Sequence, residues 1–418
     1  MRKIHLTLTL AAFVVLLPGL CASAGETFRP KHTIAKLETG VEPVRVVAFG
    51  DSITGVYYHT GSRRAWCDML GIALQKAYPK AKIQMFNAGI SGHTSSQGLA
   101  RIQRDVIDRK PHLVVVMFGM NDCARGDIDT FRKNTEEIVK RLRGAGAEVM
   151  LCTPNNVYPN NPRPQARLAK YAQITREVAA KMSVPLVDSY QAYEDVQKKN
   201  NTDWCLLMSE TIHPNMNGHK LFAEKITEAI SGKPISLDDV GPPDDALAHT
   251  IKLLRAGKPV KILAMEPYDK IMPDVLREKF PSAKIEAVTW PVTGKSLEDI
   301  EVWAKDVRGL KANMIVFAIP ESMAQKTQTK ESEETFVRKY TWALALCFGY
   351  GPSTGDVVPV LPSVTKPVDD PGKSWEALAK RIIRGYDVEF IQRPAGNTKN
   401  ARQIVTDWVD KHLAAHGK

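Results

Sequence analysis

The apolar residues of this chain fall into two alternating rhythms. Short continuous runs rich in Val, Ile and Leu recur along it, and each is followed by a longer stretch whose apolar positions return every three or four residues. A short unbroken run suits a strand covered on both faces, and the 3.6-residue rhythm suits an amphipathic helix, so the alternation predicts a parallel sheet flanked by helices. Strands are expected near 44–49, 82–87, 112–118, 147–152 and 184–188, then near 260–265, 284–289, 313–318, 357–361 and 387–391. Leu99, Ile102 and Val106 mark one helical face, Phe222, Ile226 and Ile230 another, and Val405, Val409 and Leu413 the last.

The second set of strands repeats the first. Pro43-Val-Arg-Val-Val-Ala-Phe49 returns in type as Pro259-Val-Lys-Ile-Leu-Ala-Met265, and Tyr78-Pro-Lys-Ala-Lys-Ile83 as Phe280-Pro-Ser-Ala-Lys-Ile285. A third match follows in order, Pro111–Phe118 against Ala312–Ile319. Two α/β domains of similar topology are therefore expected, 41–232 and 246–418, with an Asp- and Pro-rich linker at 233–245.

The beginning of the chain reads differently. Arg2 and Lys3 precede an apolar stretch from Leu6 to Leu20 and the small triplet Ala22-Ser23-Ala24. A positive end, a short apolar middle and a small-residue cleavage site make residues 1–24 a secretory signal cut after Ala24, with 25–40 as an extension of the mature protein. A retained anchor is the alternative, but a spanning helix wants about 20 apolar residues and Pro18 interrupts this one. Lipidation of Cys21 is a lesser option because bulky Leu20 precedes it. The location expected is secreted or periplasmic, without a stable membrane anchor.

At 418 residues, with 44% hydrophobic and 25% charged residues, the composition excludes wholesale disorder, collagen, coiled coil and a multi-pass membrane protein. Removing the signal takes away Arg2 and Lys3, so the net charge falls from +11 to +9. The surplus is scattered, and no nucleic-acid partner is expected. Cys67, Cys123, Cys152, Cys205 and Cys347 remain, an odd set without a C-x-x-C pair; no disulfide framework is expected, and a single bridge stays open. No H-E-x-x-H, H-x-H, G-x-G-x-x-G or Walker pattern is present, so neither metal nor cofactor is expected.

In open parallel sheets the chemistry gathers at the carboxyl ends of the strands. Those ends carry Phe49-Gly50-Asp51-Ser52-Ile53-Thr54, Asn87-Ala88-Gly89-Ile90-Ser91-Gly92 and Gly119-Met120-Asn121-Asp122, and Glu210-Thr211-Ile212-His213-Pro214-Asn215 comes later. A serine hydroxyl attacks at neutral pH only when a neighbouring base takes its proton, and histidine is the side chain suited to that task. Ser52 and His213 are the candidates.

Over residues 44–231 these four ordered blocks resemble the GDSL-type, or SGNH, hydrolases, a family of esterases with a flavodoxin-like three-layer fold. The resemblance implies that Ser52 is the nucleophile and His213 the base. It also implies that the Ser52 and Gly89 N–H groups and the Asn121 amide form an oxyanion hole, with Gly50, Asp51, Gly119 and Asp122 as motif support. One position departs from the pattern: Glu210 stands where the family has Asp. Glu210 is expected to orient His213, with a backbone carbonyl or, more distantly, Asp203 as the alternative. Asn87 reads as a brace of its loop. His93, His219, Arg125 and Cys123 lie near motifs and are expected to carry no chemistry.

Placed by the repeat, Gly50-Asp51-Ser52 falls opposite Glu266-Pro267-Tyr268, Gly89 opposite Pro291, Asn121 opposite Ser322, and Ile212-His213-Pro214 opposite Gln392-Arg393-Pro394. The second domain is thus expected to be a degenerate SGNH-like unit that keeps the sheet without the catalytic residues. The function expected is a serine esterase that removes small acyl groups, acetyl above all, from a carbohydrate or related polymer. The alternatives are a lysophospholipase or thioesterase, and a decayed protein that only binds glycan.

Overall fold

The computed structural model describes residues 28–243, 246–323, 330–349, 355–367 and 370–416. The signal expected at 1–24 lies outside them. The first half forms a parallel sheet from β1 (Pro43–Gly50), β2 (Lys82–Gly89), β3 (Leu113–Met117), β4 (Glu148–Cys152) and β5 (Leu186–Val187), in the order β2-β1-β3-β4-β5. This is the flavodoxin-like order, which reverses direction between β1 and β3 and opens a crevice there at the carboxyl ends. Val44, Val46, Val47, Ala48 and Phe49 are buried along β1, and every residue of β3 is buried. That accounts for their unbroken apolar runs: helices cover both faces.

The second half forms a parallel sheet from β6 (Val260–Met265), β7 (Ile285–Trp290), β8 (Met314–Phe317) and β9 (Asp356–Pro359), in the order β7-β6-β8-β9. The order matches the first four strands, and so do small details. Helix Lys31–Thr39 has its N-terminal N–H groups capped by Glu148 at the start of β4, with His32 N at 3.0 Å and Thr33 N at 2.7 Å. Helix Ala248–Arg255 is capped by Asp356 at the start of β9, with Thr250 N at 2.7 Å. Arg45 N donates to His112 Nδ1 at 2.9 Å, and its counterpart Lys261 N donates to Asn313 Oδ1 at 2.8 Å. Even the left-handed residues before the third strands agree, Lys110 and Lys311 both at φ 50°.

The strand expected at 387–391 does not form. Asp387 sits at φ 51° after a turn, and the segment meets the sheet only at a single parallel bridge between Val360 and Ile391. A β-run needs extended backbone, and a left-handed residue at its start ends that geometry. The turn is instead spent on the first half, where Gly385 O accepts from Met216 N at 2.6 Å.

Buried apolar residues of both halves join in one cluster. The described part of the linker lies against the first half: Leu237 is buried, its N–H donates to Glu224 at 2.7 Å, and Lys220 Nζ reaches Val240 O at 2.6 Å. Cys67, Cys123, Cys152, Cys205 and Cys347 are all free thiols, each buried. Among the described residues no helix is long and apolar enough to cross a membrane.

Candidate active site

β1 ends at Gly50, and Asp51 caps the short helix Ser52–Gly55 by accepting the Ile53 N–H at 3.0 Å. Ser52 thereby stands at the first position of a helix, where its own N–H has no intrahelical acceptor. Asp51 is almost fully buried, and burial pushes its carboxyl up to about 6, against the pull of the Ile53 N–H. Its part here is structural.

Ser52 and His213 lie 161 positions apart in the chain, and Ser52 Oγ meets His213 Nε2 at 2.8 Å. The other ring nitrogen, Nδ1, is hydrogen-bonded to Glu210 Oε1. A carboxylate can only accept, so Nδ1 carries the hydrogen, Nε2 is bare, and the Ser52 O–H donates to it. Burial acts to raise the Glu210 pKa, but the hydrogen bonds and charge of His213 outweigh it and leave the carboxyl below its ordinary value. The extra methylene of Glu relative to Asp is absorbed in a tight turn: the same Oε1 accepts the Ile212 N–H at 3.1 Å and the His213 N–H at 2.7 Å. Asp203, the distant alternative, points elsewhere and pairs with Arg381 at 2.5 Å.

Asn121 lies in helix Met120–Arg125 after β3, whose N-cap is Gly119. Its Nδ2 donates to His93 O at 3.2 Å, which uses one of its two hydrogens, and Arg163 Nη2 holds its Oδ1 at 3.0 Å. Arg163, which no motif announced, also grips Met120 O at 2.9 Å, so it fixes which way the amide faces. Asp122 braces the start of the earlier helix Ser95–Asp105 by accepting Ser95 N at 2.9 Å and Ser95 Oγ at 2.5 Å.

Gly89 requires a correction. Its N–H donates to Asn87 Oδ1 at 2.9 Å, while Asn87 Nδ2 holds Thr54 O at 2.7 Å. One N–H carries one hydrogen, and this one is spent. The glycine is needed for packing instead: a Cβ there would sit 2.3 Å from Gly55 N. Gly92, three residues on, has φ 77° and immediately precedes His93, whose carbonyl binds Asn121. It is the glycine of this loop that lies beside the Asn121 amide.

His219 and Cys123 are buried structural groups. His219 Nδ1 accepts the Trp66 N–H at 2.8 Å, and burial, helped by His213, brings its pKa down to about 3. Burial pushes the Cys123 thiol up, away from the thiolate a nucleophile needs. His93 accepts from Arg101 Nε at 3.2 Å, and Arg125 holds Gly92 O. Arg101 is a second unannounced brace: it lies across the ends of β1 and β2, donating to Gly50 O at 2.8 Å and Ala88 O at 2.7 Å.

The residue that sequence reasoning missed most completely is His59. It lies outside every block, yet its ring stacks on His213 with centroids 4.0 Å apart and planes 13° apart. His59, Glu210 and His213 offer potential ligand atoms all within 4.8 Å of one another. A cation there would compete with the hydrogen bonds that join His213 to Ser52 and Glu210.

Residues 48–221 match the model of the GDSL-like Lipase/Acylhydrolase family. The chain is 30% identical over 202 residues to the uncharacterized lipoprotein YqeF of Bacillus subtilis, covering 41% of this chain and 81% of that protein. The chain belongs to the GDSL-like family. It is also 27% identical over 169 residues to an acetylxylan esterase of Geobacillus stearothermophilus, covering 38% of this chain and 76% of that one. With thioesterase 1/protease 1/lysophospholipase L1 of Escherichia coli it shares 29% identity over 180 residues, 43% of this chain and 79% of that one. The GDSL-like domain is a carboxylic ester hydrolase, and all of its matched residues lie in the first half.

Proposed function

We propose that the protein is an exported serine esterase that removes small acyl groups, acetyl above all, from a carbohydrate or related polymer. The observation that carries this reading is the Ser52–His213–Glu210 hydrogen-bonded chain. His213 Nε2 takes the Ser52 proton as Oγ attacks the ester carbonyl. The imidazolium then gives that proton to the departing alcohol, leaving an acyl-serine that water cleaves by the same steps in reverse. The Ser52 N–H, the Gly92 N–H in place of that of Gly89, and the remaining hydrogen of Asn121 Nδ2 are the donors we assign to the developing oxyanion.

A cavity of about 320 Å³ between the halves supports the carbohydrate reading. Its walls include Glu210, Thr211 and Tyr158 from the first half and Glu301, Arg338 and Trp342 from the second. Aromatic faces beside polar groups suit a sugar ring better than an acyl chain. The second half is read as a degenerate copy that lost the nucleophile, with Tyr268 where Ser52 would be, and that shapes this cavity. The name of the Escherichia coli relative favours a lysophospholipase or thioesterase as the second reading.

Hydrolysis rates on acetylated xylan, acetylated pectin, acetylated peptidoglycan, a lysophospholipid and an acyl thioester separate these readings. Preference for the lysophospholipid or thioester would overturn the carbohydrate assignment. A p-nitrophenyl acetate activity unchanged in Ser52→Ala, with no fluorophosphonate adduct by intact mass, would leave only a binding protein.

A further inference from the structure

A file of buried polar groups runs from the second half of the chain to the face of His213. Tyr386 Oη lies 2.8 Å from Thr341 O, Ser209 Oγ lies 3.2 Å from Tyr386 Oη, and His59 Nδ1 lies 3.0 Å from Ser209 Oγ. His59, Ser209, Thr341 and Tyr386 are all buried. The file has one direction in which every contact is a hydrogen bond, and a carbonyl at its end sets that direction. Thr341 O has no hydrogen to give, so the Tyr386 hydroxyl donates to it. With its one hydrogen spent, Tyr386 Oη can only accept, so Ser209 O–H donates to it. Ser209 Oγ then accepts from His59, whose hydrogen must sit on Nδ1, leaving Nε2 bare. Nε2 is buried and has no partner among the described residues.

The near end of the file touches the catalytic turn twice. Ser209 is the neighbour of Glu210, and its N–H donates to His213 O at 2.8 Å, closing the turn that carries acid and base. His59 lies flat against the His213 ring, with planes 13° apart, and the Tyr58 ring packs against His59 at a tilt of 39°, centroids 3.9 Å apart. A ring that must aim Nε2 at Ser52 and Nδ1 at Glu210 is thus backed by a plate whose own rotation is pinned through Ser209.

We infer that Tyr386, acting through Ser209 and His59, positions His213 for proton transfer, so that the second half of the chain is part of the support of the active site. The inference rests on His213 being the base. Tyr386, Ser209 and His59 are positioning residues and touch no substrate. Burial above all, with His213 and Arg308 nearby acting in the same sense, holds the His59 pKa far below its ordinary value. The plate therefore stays neutral while His213 becomes an imidazolium against it, where a charged neighbour would oppose the proton's arrival.

The test compares Tyr386→Phe, Ser209→Ala and the double variant with Tyr268→Phe, which removes another second-half hydroxyl, one bonded to Thr365 Oγ1 at 3.0 Å and not to a member of the file. Steady-state hydrolysis of p-nitrophenyl acetate by the full chain is measured for each. The expected result is a kcat lowered about tenfold or more in both singles, with KM within about twofold. The double variant should be no worse than the poorer single, because the two act as one unit. Tyr268→Phe should keep the parent kcat. Nitrogen NMR of labelled histidine gives a second readout: His59 should be an Nδ1–H tautomer in the parent, and in Tyr386→Phe the freed Ser209 hydroxyl should shift it toward Nε2–H. A Tyr386→Phe kcat within twofold of the parent, an equal loss in Tyr268→Phe, or an unchanged tautomer overturns the inference. A Ser52→Ala variant that stays active would instead sink the esterase reading, and the tautomer measurement would still judge the file.

Discussion

Glu210 holds His213 at two places with one oxygen: Oε1 accepts the His213 backbone N–H at 2.7 Å and is also the partner of the ring Nδ1. The acid therefore fixes both where the histidine backbone sits and how its ring is turned. We expect Glu210→Gln to lower kcat by about a hundredfold or more, since the amide can present its N–H₂ to Nδ1 and favour the wrong tautomer. KM should change little. A loss below threefold would show that the ring is held by other contacts.

The same carboxyl makes a pH prediction for stability. Its folded pKa lies below the ordinary 4.5, so its contribution is complete above the unfolded pKa and disappears as pH falls through the folded one. The stability gap between the parent and Glu210→Gln should be constant from pH 7 to about 5 and close at lower pH. Urea denaturation at several pH values measures it; a gap that widens on acidification would contradict the sign.

Asp51 behaves in the opposite sense. Burial raises its carboxyl from 3.8 to about 6, so its contribution is fully present below the unfolded pKa and is lost as pH rises through about 6. At pH 7 the buried charge costs about 3 kcal/mol relative to the neutral form. Asp51→Asn keeps an oxygen to accept the Ile53 N–H, and should stabilise the protein at pH 7 by up to that amount and much less at pH 4. Equal effects at both pH values would show that the charge is not the cause.

Asn121 and Gly89 should fail in different ways. Asn121→Ala removes a candidate oxyanion donor, with an expected loss of 10²- to 10³-fold in kcat and a small change in melting temperature. Gly89→Ala forces a Cβ to within 2.3 Å of Gly55 N, so its first effect should be on stability. If Gly89→Ala folds with the parent melting temperature, the packing account of this glycine is wrong.

Across the two halves, Arg64 Nε and Nη2 each lie 2.7 Å from the Asp387 carboxylate, whose side chain is 2% exposed. Asp387→Ala leaves Arg64 with Gly241 O, 2.7 Å from Nη2, as a remaining partner and should cost roughly 1–3 kcal/mol. Calorimetry should show one unfolding transition in the parent. Two separated transitions there would mean that the halves fold independently.

Ser52, Asn121 and His213 could be read from the sequence because each lies in a local block whose strand or turn context is itself written in neighbouring residues. Glu210 was legible for the same reason, being only three residues from the histidine it serves. Gly89 shows the limit: sequence shows a glycine after a strand, but not which acceptor its N–H meets, here Asn87 Oδ1. The missing strand at 387–391 shows another. Its residues are apolar enough for a sheet, but Asp387 is drawn into a left-handed turn where it meets Arg64, 323 positions away.

Hydrophobic periodicity, strand-end motifs and the internal repeat determine the two parallel sheets and point to the candidate nucleophile and base, since these depend on residues close together in the chain. Tertiary structure alone decides the contacts around the site: the hydrogen bonds by which Asn87 claims Gly89, Arg163 turns Asn121 and Tyr386 reaches Ser209 across 177 positions, and the stacking of His59 on His213. The reason is physical. Propensity and burial act on neighbours along the chain, whereas a hydrogen bond is specified by distance and direction between groups that only packing brings together.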